Sequence, residues 1–260
     1  MALLEIRALA RSFYGVHALN GVDLDVDAGT ITGLIGPNGA GKTTLFNCVS
    51  GVIPAEHGRV RFDGEDVTRW RPDRITRRGL VRTFQIARGF PRLSVRENLM
   101  LYGAAQPGEA LWNAWVRPAA VARRETELSA RAATVARRLN LTRVLDDPAA
   151  ALSGGQKKLL ELGRALMTDP KLILLDEPVA GVNPALTHEI GTHLAELRAE
   201  GFTFLIIEHH LDVIARLCDP VIVMAEGRHL AQGTFAVVAA DERVQDAYMG
   251  SVSRRGPTAS

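Results

Sequence analysis

The sequence predicts an α/β fold around a mainly parallel β-sheet, with an antiparallel β portion and an inserted helical portion. A short apolar run, 31–35, leads into a glycine-rich loop and then into a helix-like segment. Further apolar runs at 171–175, 203–207 and 220–224 alternate with helical segments, which is the pattern of parallel strands joined by helices. Residues 94–145 differ in character, with a helix start at 94–97 and apolar residues at helical spacing over 119–140.

The N-terminal residues predict antiparallel strands at 3–8 and 20–27. In the second run, apolar Val22, Leu24 and Val26 alternate with aspartates, so one strand face is buried and the other is wet. Residues 59–62 alternate in the same way and meet Asp63-Gly64, a typical hairpin turn.

An arginine-rich stretch follows at 69–96, with nine arginines and one acidic residue, Asp73. Such a run is typical of a solvated helix face, and it also suits anionic lipid or an acidic loop of a partner. Nucleic acid is disfavoured because no aromatic platform accompanies the arginines. The stretch includes a predicted strand, 80–84, which is followed by Gln85.

The helical portion begins with a capping box, since Ser94 is followed three residues later by Glu97. A long helix is predicted over 119–140 from apolar residues at helical spacing. Trp112 and Trp115 precede it, and the sequence leaves open whether they are core residues or contacts to a membrane partner.

The composition is that of an ordinary soluble protein of 260 residues, with 47% hydrophobic residues and a formal net charge of +2. No apolar run approaches the roughly 20 residues that span a bilayer. Residues 1–4 lack the features of a signal peptide. The two cysteines, Cys48 and Cys218, are too few for a disulfide framework, which favours a reducing cytoplasm.

The most informative stretch follows the apolar run 31–35 and fits the phosphate-binding pattern G-x-x-x-x-G-K-[ST]. In this pattern, backbone N–H groups and the helix N-terminus face an anion, the lysine reaches the β- and γ-phosphates, and the hydroxyl holds Mg²⁺. Lys42 is the sole lysine among the first 156 residues of an arginine-rich chain. We therefore predict a nucleoside triphosphate site rather than a chance glycine-rich turn. Its residues are Gly36, Pro37, Asn38, Gly39, Ala40, Gly41, Lys42, Thr43 and Thr44.

Acidic residues and a histidine end two of the predicted parallel strands. Asp176 and Glu177 follow the run 171–175, and His209 follows 203–207. Ligands of open parallel sheets bind beyond the carboxyl ends of the strands, so Asp176 suits a Mg²⁺ site and Glu177 an attacking water. His209 would bind the γ-phosphate or the water.

Leu152-Ser153-Gly154-Gly155-Gln156 predicts a second phosphate-binding helix start. Ser153 and Gln156 form a capping box, but the two glycines between them are poor helix formers. Bare backbone N–H groups at Gly154 and Gly155 make sense if an anion approaches them. Since the chain already has a phosphate loop, we expect a dimer in which each chain closes on its partner's nucleotide. Phe13, near the N-terminus, is either a core aromatic or a platform for a purine base.

Together these residues resemble the ATP-binding cassette (ABC) family of transport ATPases, over nearly the whole chain from Phe13 to Gly250. The resemblance implies a RecA-like P-loop NTPase core. It implies that Gly36–Thr44 are the Walker A motif, Gln85 the Q-loop, Ser153–Gln156 the signature, Asp176 and Glu177 Walker B, Gly181–Asn183 the D-loop and His209 the switch histidine. It also assigns Phe13 to adenine stacking, Glu177, His209 and Gln85 to hydrolysis, and Thr43, Gln85 and Asp176 to Mg²⁺.

Within that family the chain is most similar to the ATPase subunits of branched-chain amino acid importers. The supporting stretches are 82–85, the insertion 103–125, 177–184, 207–209 and 247–250. His210 departs from the aspartate that is usual there, and the sequence does not explain it. Relatives that move urea, amides or organic acids look similar, so these cargoes are the alternative.

The resemblance implies a single domain, 1–250, with a core and β subdomain at 1–90 and 160–250 and a helical subdomain at 91–159. The small, polar residues of 251–260 predict a disordered tail. The resemblance also implies transmembrane permease subunits, a second cassette (identical or related), an extracytoplasmic binding protein acting indirectly, no nucleic acid, and a peripheral position on the cytoplasmic face of the inner membrane.

A soluble cassette ATPase acting on ribosomes or DNA would carry a second cassette or long coiled coils, which this chain lacks. A P-loop GTPase or kinase is the third alternative. The chain has no Asn-Lys-x-Asp motif for reading guanine, and neither a GTPase nor a kinase explains residues 152–156.

Overall fold

A computed structural model describes residues 2–83, 90–103 and 118–253. The chain divides into two compact units, of which the first comprises Met1–Arg82, Lys171–Ala180 and Leu194–Ser260. The second comprises Thr83–Pro170 and Gly181–His193, and it contains the whole predicted helical segment 91–159. Gln85, Trp112 and Trp115 lie outside the described residues.

The described residues form ten strands and nine α-helices. The strands are β1 (Ala2–Phe13), β2 (Val16–Asp27), β3 (Ile31–Ile35), β4 (His57–Phe62), β5 (Glu65–Asp66), β6 (Leu80–Arg82), β7 (Leu172–Asp176), β8 (Thr203–Ile207), β9 (Val221–Ala225) and β10 (Arg228–Gly233). The helices are α1 (Lys42–Val49), α2 (Pro72–Arg78), α3 (Val95–Met100), α4 (Pro118–Arg138), α5 (Gly154–Leu166), α6 (Pro184–Ala199), α7 (Leu211–Leu217), α8 (Phe235–Ala239) and α9 (Glu242–Ser253). None of these helices is long and apolar enough to cross a membrane.

The first unit contains an antiparallel sheet of order β2-β1-β4-β5. The predicted hairpin turn at Asp63-Gly64 is confirmed, and both of its residues have positive φ, 49° and 78°. A second such turn, Tyr14-Gly15, joins β1 to β2. Both strands are longer than predicted, because their ends pair with each other as far as Phe13 and Val16.

The first unit also contains a six-stranded sheet of order β10-β9-β3-β8-β7-β6. Strands β9, β3, β8, β7 and β6 are parallel, whereas β10 is antiparallel to β9. All five residues of β3, of β7 and of β8 are buried, which explains their uninterrupted apolar runs. Strand β10 was not predicted, because its sequence, RHLAQG, is partly exposed and lacks an apolar pattern.

Helix α1 packs into the core of this unit. Its Leu45 and Phe46 are fully buried and join one apolar cluster with residues of both sheets, such as Leu4 of β1 and Leu174 of β7. The helix is therefore fixed between the sheets, with its N-terminus beyond the carboxyl end of β3.

The second unit has a buried polar centre. Arg164 of α5 donates to Asn98 Oδ1 of α3 at 2.7 Å, and the Asn98 amide donates to three backbone carbonyls, those of Phe90, Leu93 and Ser94. The capping box predicted at Ser94 is confirmed, since the Ser94 and Glu97 side chains and backbones bond reciprocally. These contacts fix the N-terminus of α3 against α5.

The C-terminal boundary differs from the predicted tail. Helix α9 continues to Ser253, so the first three residues of the segment 251–260 are helical. Residues 254–260 lie outside the described residues.

Candidate nucleotide-binding site

The predicted phosphate loop lies between β3 and α1. Two of its glycines are required by close packing: a Cβ on Gly36 would lie 2.0 Å from the Met224 carbonyl oxygen, and one on Gly41 2.3 Å from the Ala18 carbonyl oxygen. Gly41 caps α1 with a φ of 97° and provides no side-chain hydrogen bond. The N–H groups of the first turn of α1 therefore remain available to an anion.

Lys42 lies within this loop and is only 6% exposed. Its Nζ donates to the carbonyl oxygens of Gly36 at 2.7 Å and Pro37 at 3.1 Å. Burial lowers the pKa of Lys42, while the nearby carboxylates of Glu177 and Asp176 act in the opposite direction. The structure thus brings the lysine and both predicted acidic residues into one electrostatic environment.

A cavity of about 330 Å³ opens over the loop. It is lined by Asn38–Thr44 together with Ala18, Glu177, Ile207 and His209. This volume is within the range of small-ligand sites. Phe13 does not line the cavity; it ends β1, and the guanidinium of Arg11 lies 4.9 Å from its ring centroid.

Glu177 and His209 meet at this cavity. His209 Nε2 lies 3.1 Å from Glu177 Oε1, and both side chains are partly exposed. Glu177 has a positive φ of 51°, and its N–H donates to the Ile207 carbonyl at 2.9 Å. A left-handed conformation at a residue other than glycine is strained, and such strain is concentrated at functional sites.

Asp176 ends β7 and is 4% exposed. Its Oδ2 accepts a hydrogen bond from Arg82 at 2.9 Å, whereas its Oδ1 is buried with no hydrogen-bond partner. A buried carboxylate oxygen without a donor is costly, and it suits a hard cation such as Mg²⁺. In the described residues, no three histidine, cysteine, aspartate or glutamate side chains are placed so that they could hold a metal ion together. A site for Mg²⁺ nevertheless fits, because Mg²⁺ bound with a nucleotide needs only one or two protein carboxylates.

Sequence reasoning missed the role of Glu208, which is 2% exposed. Its Oε1 accepts from the Val179 N–H at 3.1 Å, and its Oε2 accepts from the N–H groups of His209 at 2.8 Å and His210 at 3.2 Å. Glu208 therefore ties the turn after β7 to the turn after β8. The available signal was its position directly before His209, but the bond to Val179 spans residues that the sequence does not connect. His210 itself is exposed and caps α7.

The predicted second phosphate-binding helix start lies in the second unit, at the N-terminus of α5. Ser153 and Gln156 form the capping box, and Ser153 and Gly154 are exposed. Gly154 has open space where a Cβ would be, but a Cβ on Gly155 would lie 2.1 Å from Leu186 Cδ2. Packing against α6 thus gives Gly155 a structural reason of its own, and the anion-binding role of the two glycines stays a prediction.

The comparisons with known proteins agree on one family. Residues 19–180 match a model of the family described as ABC transporter. The chain is 41% identical over 259 residues to "Probable branched-chain amino acid transport ATP-binding protein LivG" of Methanocaldococcus jannaschii, covering 96% of this chain and 98% of that protein. It is 36% identical to "High-affinity branched-chain amino acid transport ATP-binding protein BraF" of Pseudomonas aeruginosa, covering 95% and 98%.

Solved structures lead to the same family. One is a crystal structure of the ADP conformation of an ATP-binding cassette of an ABC transporter. Its TM-score is 0.84 and its sequence identity 39%, covering 96% of this chain and 99% of that chain.

The hydrogen bonds of Glu208 predict a specific defect. In Glu208→Gln the new amide group faces backbone N–H donors, so at least one of them loses its acceptor. We expect the free energy of unfolding in urea to fall by about 1 to 3 kcal/mol. The matched control Glu125→Gln changes an exposed carboxylate on α4, and it should stay within about 0.5 kcal/mol of the unsubstituted chain. Equal stability of the two variants would contradict the tie between the two turns.

Proposed function

The chain belongs to the ABC transporter family as one of its ATP-hydrolysing subunits, and we propose that it powers a membrane importer of branched-chain amino acids. The observation that carries the hydrolytic role is the Glu177–His209 pair, 3.1 Å apart beside the phosphate loop. Both relatives named above are branched-chain amino acid transport ATP-binding proteins, which supports the cargo.

ATP binding would use the loop and the first turn of α1. The backbone N–H groups between Gly36 and Thr44 hold the β- and γ-phosphates, and Lys42 exchanges its two carbonyl partners for phosphate oxygens. Phe13 stacks on the adenine. The exchange suits a lysine, whose compact charge sits on a flexible stem.

Mg²⁺ would be held by the Thr43 hydroxyl, Asp176 Oδ1 and Gln85. Thr43 lines the cavity and Asp176 Oδ1 lacks a partner, which supports this assignment; Gln85 lies outside the described residues. When bound, the ion neutralises part of the phosphate charge.

Hydrolysis would proceed by attack of a water oxygen on the γ-phosphorus. Glu177 takes the proton of that water, and the bond between the γ-phosphorus and the bridging oxygen breaks to leave ADP and phosphate. His209 hydrogen-bonds Glu177 and the γ-phosphate, which holds both groups in place. Glu208 fixes the backbone on which His209 stands.

A second cassette would complete the site. Ser153–Gln156 of one cassette cover the γ-phosphate bound to the other, so ATP holds the pair together and hydrolysis releases it. The exposed Ser153 and Gly154 at the N-terminus of α5 support this role. The second cassette is either identical to this chain or a related protein.

We infer the remaining partners from the family to which the chain belongs. Permease subunits form the pore, Gln85 and the helical segment relay nucleotide state to them, and an extracytoplasmic binding protein delivers the cargo. The chain then lies peripherally on the cytoplasmic face of the inner membrane and has no nucleic acid partner.

Replacement of the proposed general base tests the hydrolytic scheme. In Glu177→Gln we expect ATP hydrolysis to fall about 10²- to 10⁴-fold, because the amide cannot accept the proton. ATP binding persists, so sedimentation velocity with Mg²⁺ and ATP should show an ATP-dependent dimer, with the partner cassette added if the pair is mixed. Glu125→Gln should hydrolyse ATP at the unsubstituted rate. Undiminished hydrolysis by Glu177→Gln would refute the assignment.

The cargo is tested in the assembled transporter. The chain is purified with its permeases, reconstituted in liposomes and supplied with the cognate binding protein. We expect leucine, isoleucine or valine to stimulate ATP hydrolysis, and the Glu177→Gln variant to abolish the stimulation. Stimulation by urea, an amide or an organic acid instead would overturn the cargo and leave the ATPase assignment intact.

A further inference from the structure

We propose that Arg82 is a positioning residue that sets the spacing between the two described side chains assigned to Mg²⁺, Thr43 and Asp176. Neither the sequence motifs nor the proposed mechanism gives Arg82 a role. The inference rests on the proposed function, because it concerns the metal assignment made there.

Arg82 reaches two different elements from the end of strand β6. One terminal nitrogen donates to Asp176 Oδ2 on β7 at 2.9 Å, and the other donates to Asn47 Oδ1 on α1 at 2.5 Å. The guanidinium also lies 5.7 Å from the ring centroid of Phe46, within the range of a cation–π contact. Its side chain is 14% exposed and that of Asp176 is 2% exposed, so solvent screens this pair little.

The hydrogen bond to Asn47 also restrains Thr43, because both residues lie on the same helix. Thr43 and Asn47 are four residues apart on α1, so they lie on the same helix face one turn apart. The bond to Asn47 therefore fixes the position of the turn that carries the Thr43 hydroxyl. The rigid fork of arginine makes both bonds at once, which a lysine cannot reproduce.

The contact with Asp176 decides which oxygen is available. Arg82 occupies Oδ2, and Oδ1 is left without a partner. The carboxylate is thus held in one orientation, in which Oδ2 accepts the hydrogen bond from Arg82 and Oδ1 is available to a metal ion. Groups that orient metal ligands in this way change metal affinity about 10- to 100-fold when they are removed.

The register of the sheet explains why residue 82 can do this. Arg82 is paired with Leu174 of the parallel strand β7, two residues before Asp176. Strand β6 ends there, so the long side chain of Arg82 extends past the carboxyl ends of the strands, where Asp176 lies.

The test compares the affinity for a non-hydrolysable ATP analogue, measured by titration calorimetry, in Mg²⁺ and in EDTA. The ratio of the two affinities isolates the contribution of the metal. In Arg82→Met we expect this ratio to fall about 10- to 100-fold, while the affinity in EDTA stays within about threefold. Arg82→Lys keeps the charge but makes fewer bonds, and Asn47→Ala removes only one bond, so both should give a smaller loss of the ratio. Arg77→Met, which alters an exposed arginine on α2, should leave it unchanged.

Each outcome decides the proposal. An unchanged ratio in Arg82→Met, or an equal loss of affinity in Mg²⁺ and in EDTA, would overturn it, because the second result indicates only a structural role. If Arg82→Met does not fold, Arg82→Lys and Asn47→Ala decide by the same ratio. If the unsubstituted chain shows no dependence on Mg²⁺, the metal assignment of the proposed function fails instead, and the inference fails with it.

Discussion

Close backbone packing at the phosphate loop is the constraint on which the site depends. The loop passes within contact distance of two carbonyl groups, those of Met224 and Ala18, at positions where any side chain would collide. Only glycine fits at positions 36 and 41. With glycine at both positions, the loop can turn its N–H groups inward. Because α1 is locked into the core by Leu45 and Phe46, the cradle is formed before any ligand binds. The conformation of the anion site is therefore fixed on folding, and ligand binding does not have to order the loop.

The charges around the loop are arranged at the carboxyl ends of adjacent parallel strands. Strands β3, β8, β7 and β6 end at the phosphate loop, Ile207, Asp176 and Arg82, respectively. Each charged side chain engages a partner: Lys42 bonds loop carbonyls, Asp176 bonds Arg82, and Glu177 lies against His209. Lys42 and Asp176 are buried, and their charges would be costly if unpaired, so these two contacts also specify how the strand ends are spaced.

The sequence predicted local features well and long-range contacts poorly. The apolar runs located β3, β7, β8 and β9 because buried parallel strands need no alternation, and the capping boxes at Ser94 and Ser153 located two helix starts. Strand β10 was missed, although its partner β9 is adjacent in sequence, because its residues are partly exposed and lack an apolar pattern. The packing of Gly155 on Leu186 was missed because it joins residues that are distant in sequence. The same reason hid Glu208 and Arg82. The motifs predicted which residues carry the chemistry, whereas the contacts that hold those residues in place became evident only from the fold.

The central claim is that Ser153 of a second cassette completes the nucleotide-binding site that contains Lys42. The most direct measurement compares ATP affinity and ATP turnover in Ser153→Arg, with the second cassette present for turnover. If Ser153 acts across the interface, the isolated variant binds ATP as tightly as the unsubstituted chain, while ATP-dependent dimer formation and hydrolysis are lost. Weakened ATP binding by the isolated variant, or hydrolysis at the unsubstituted rate, would contradict the account.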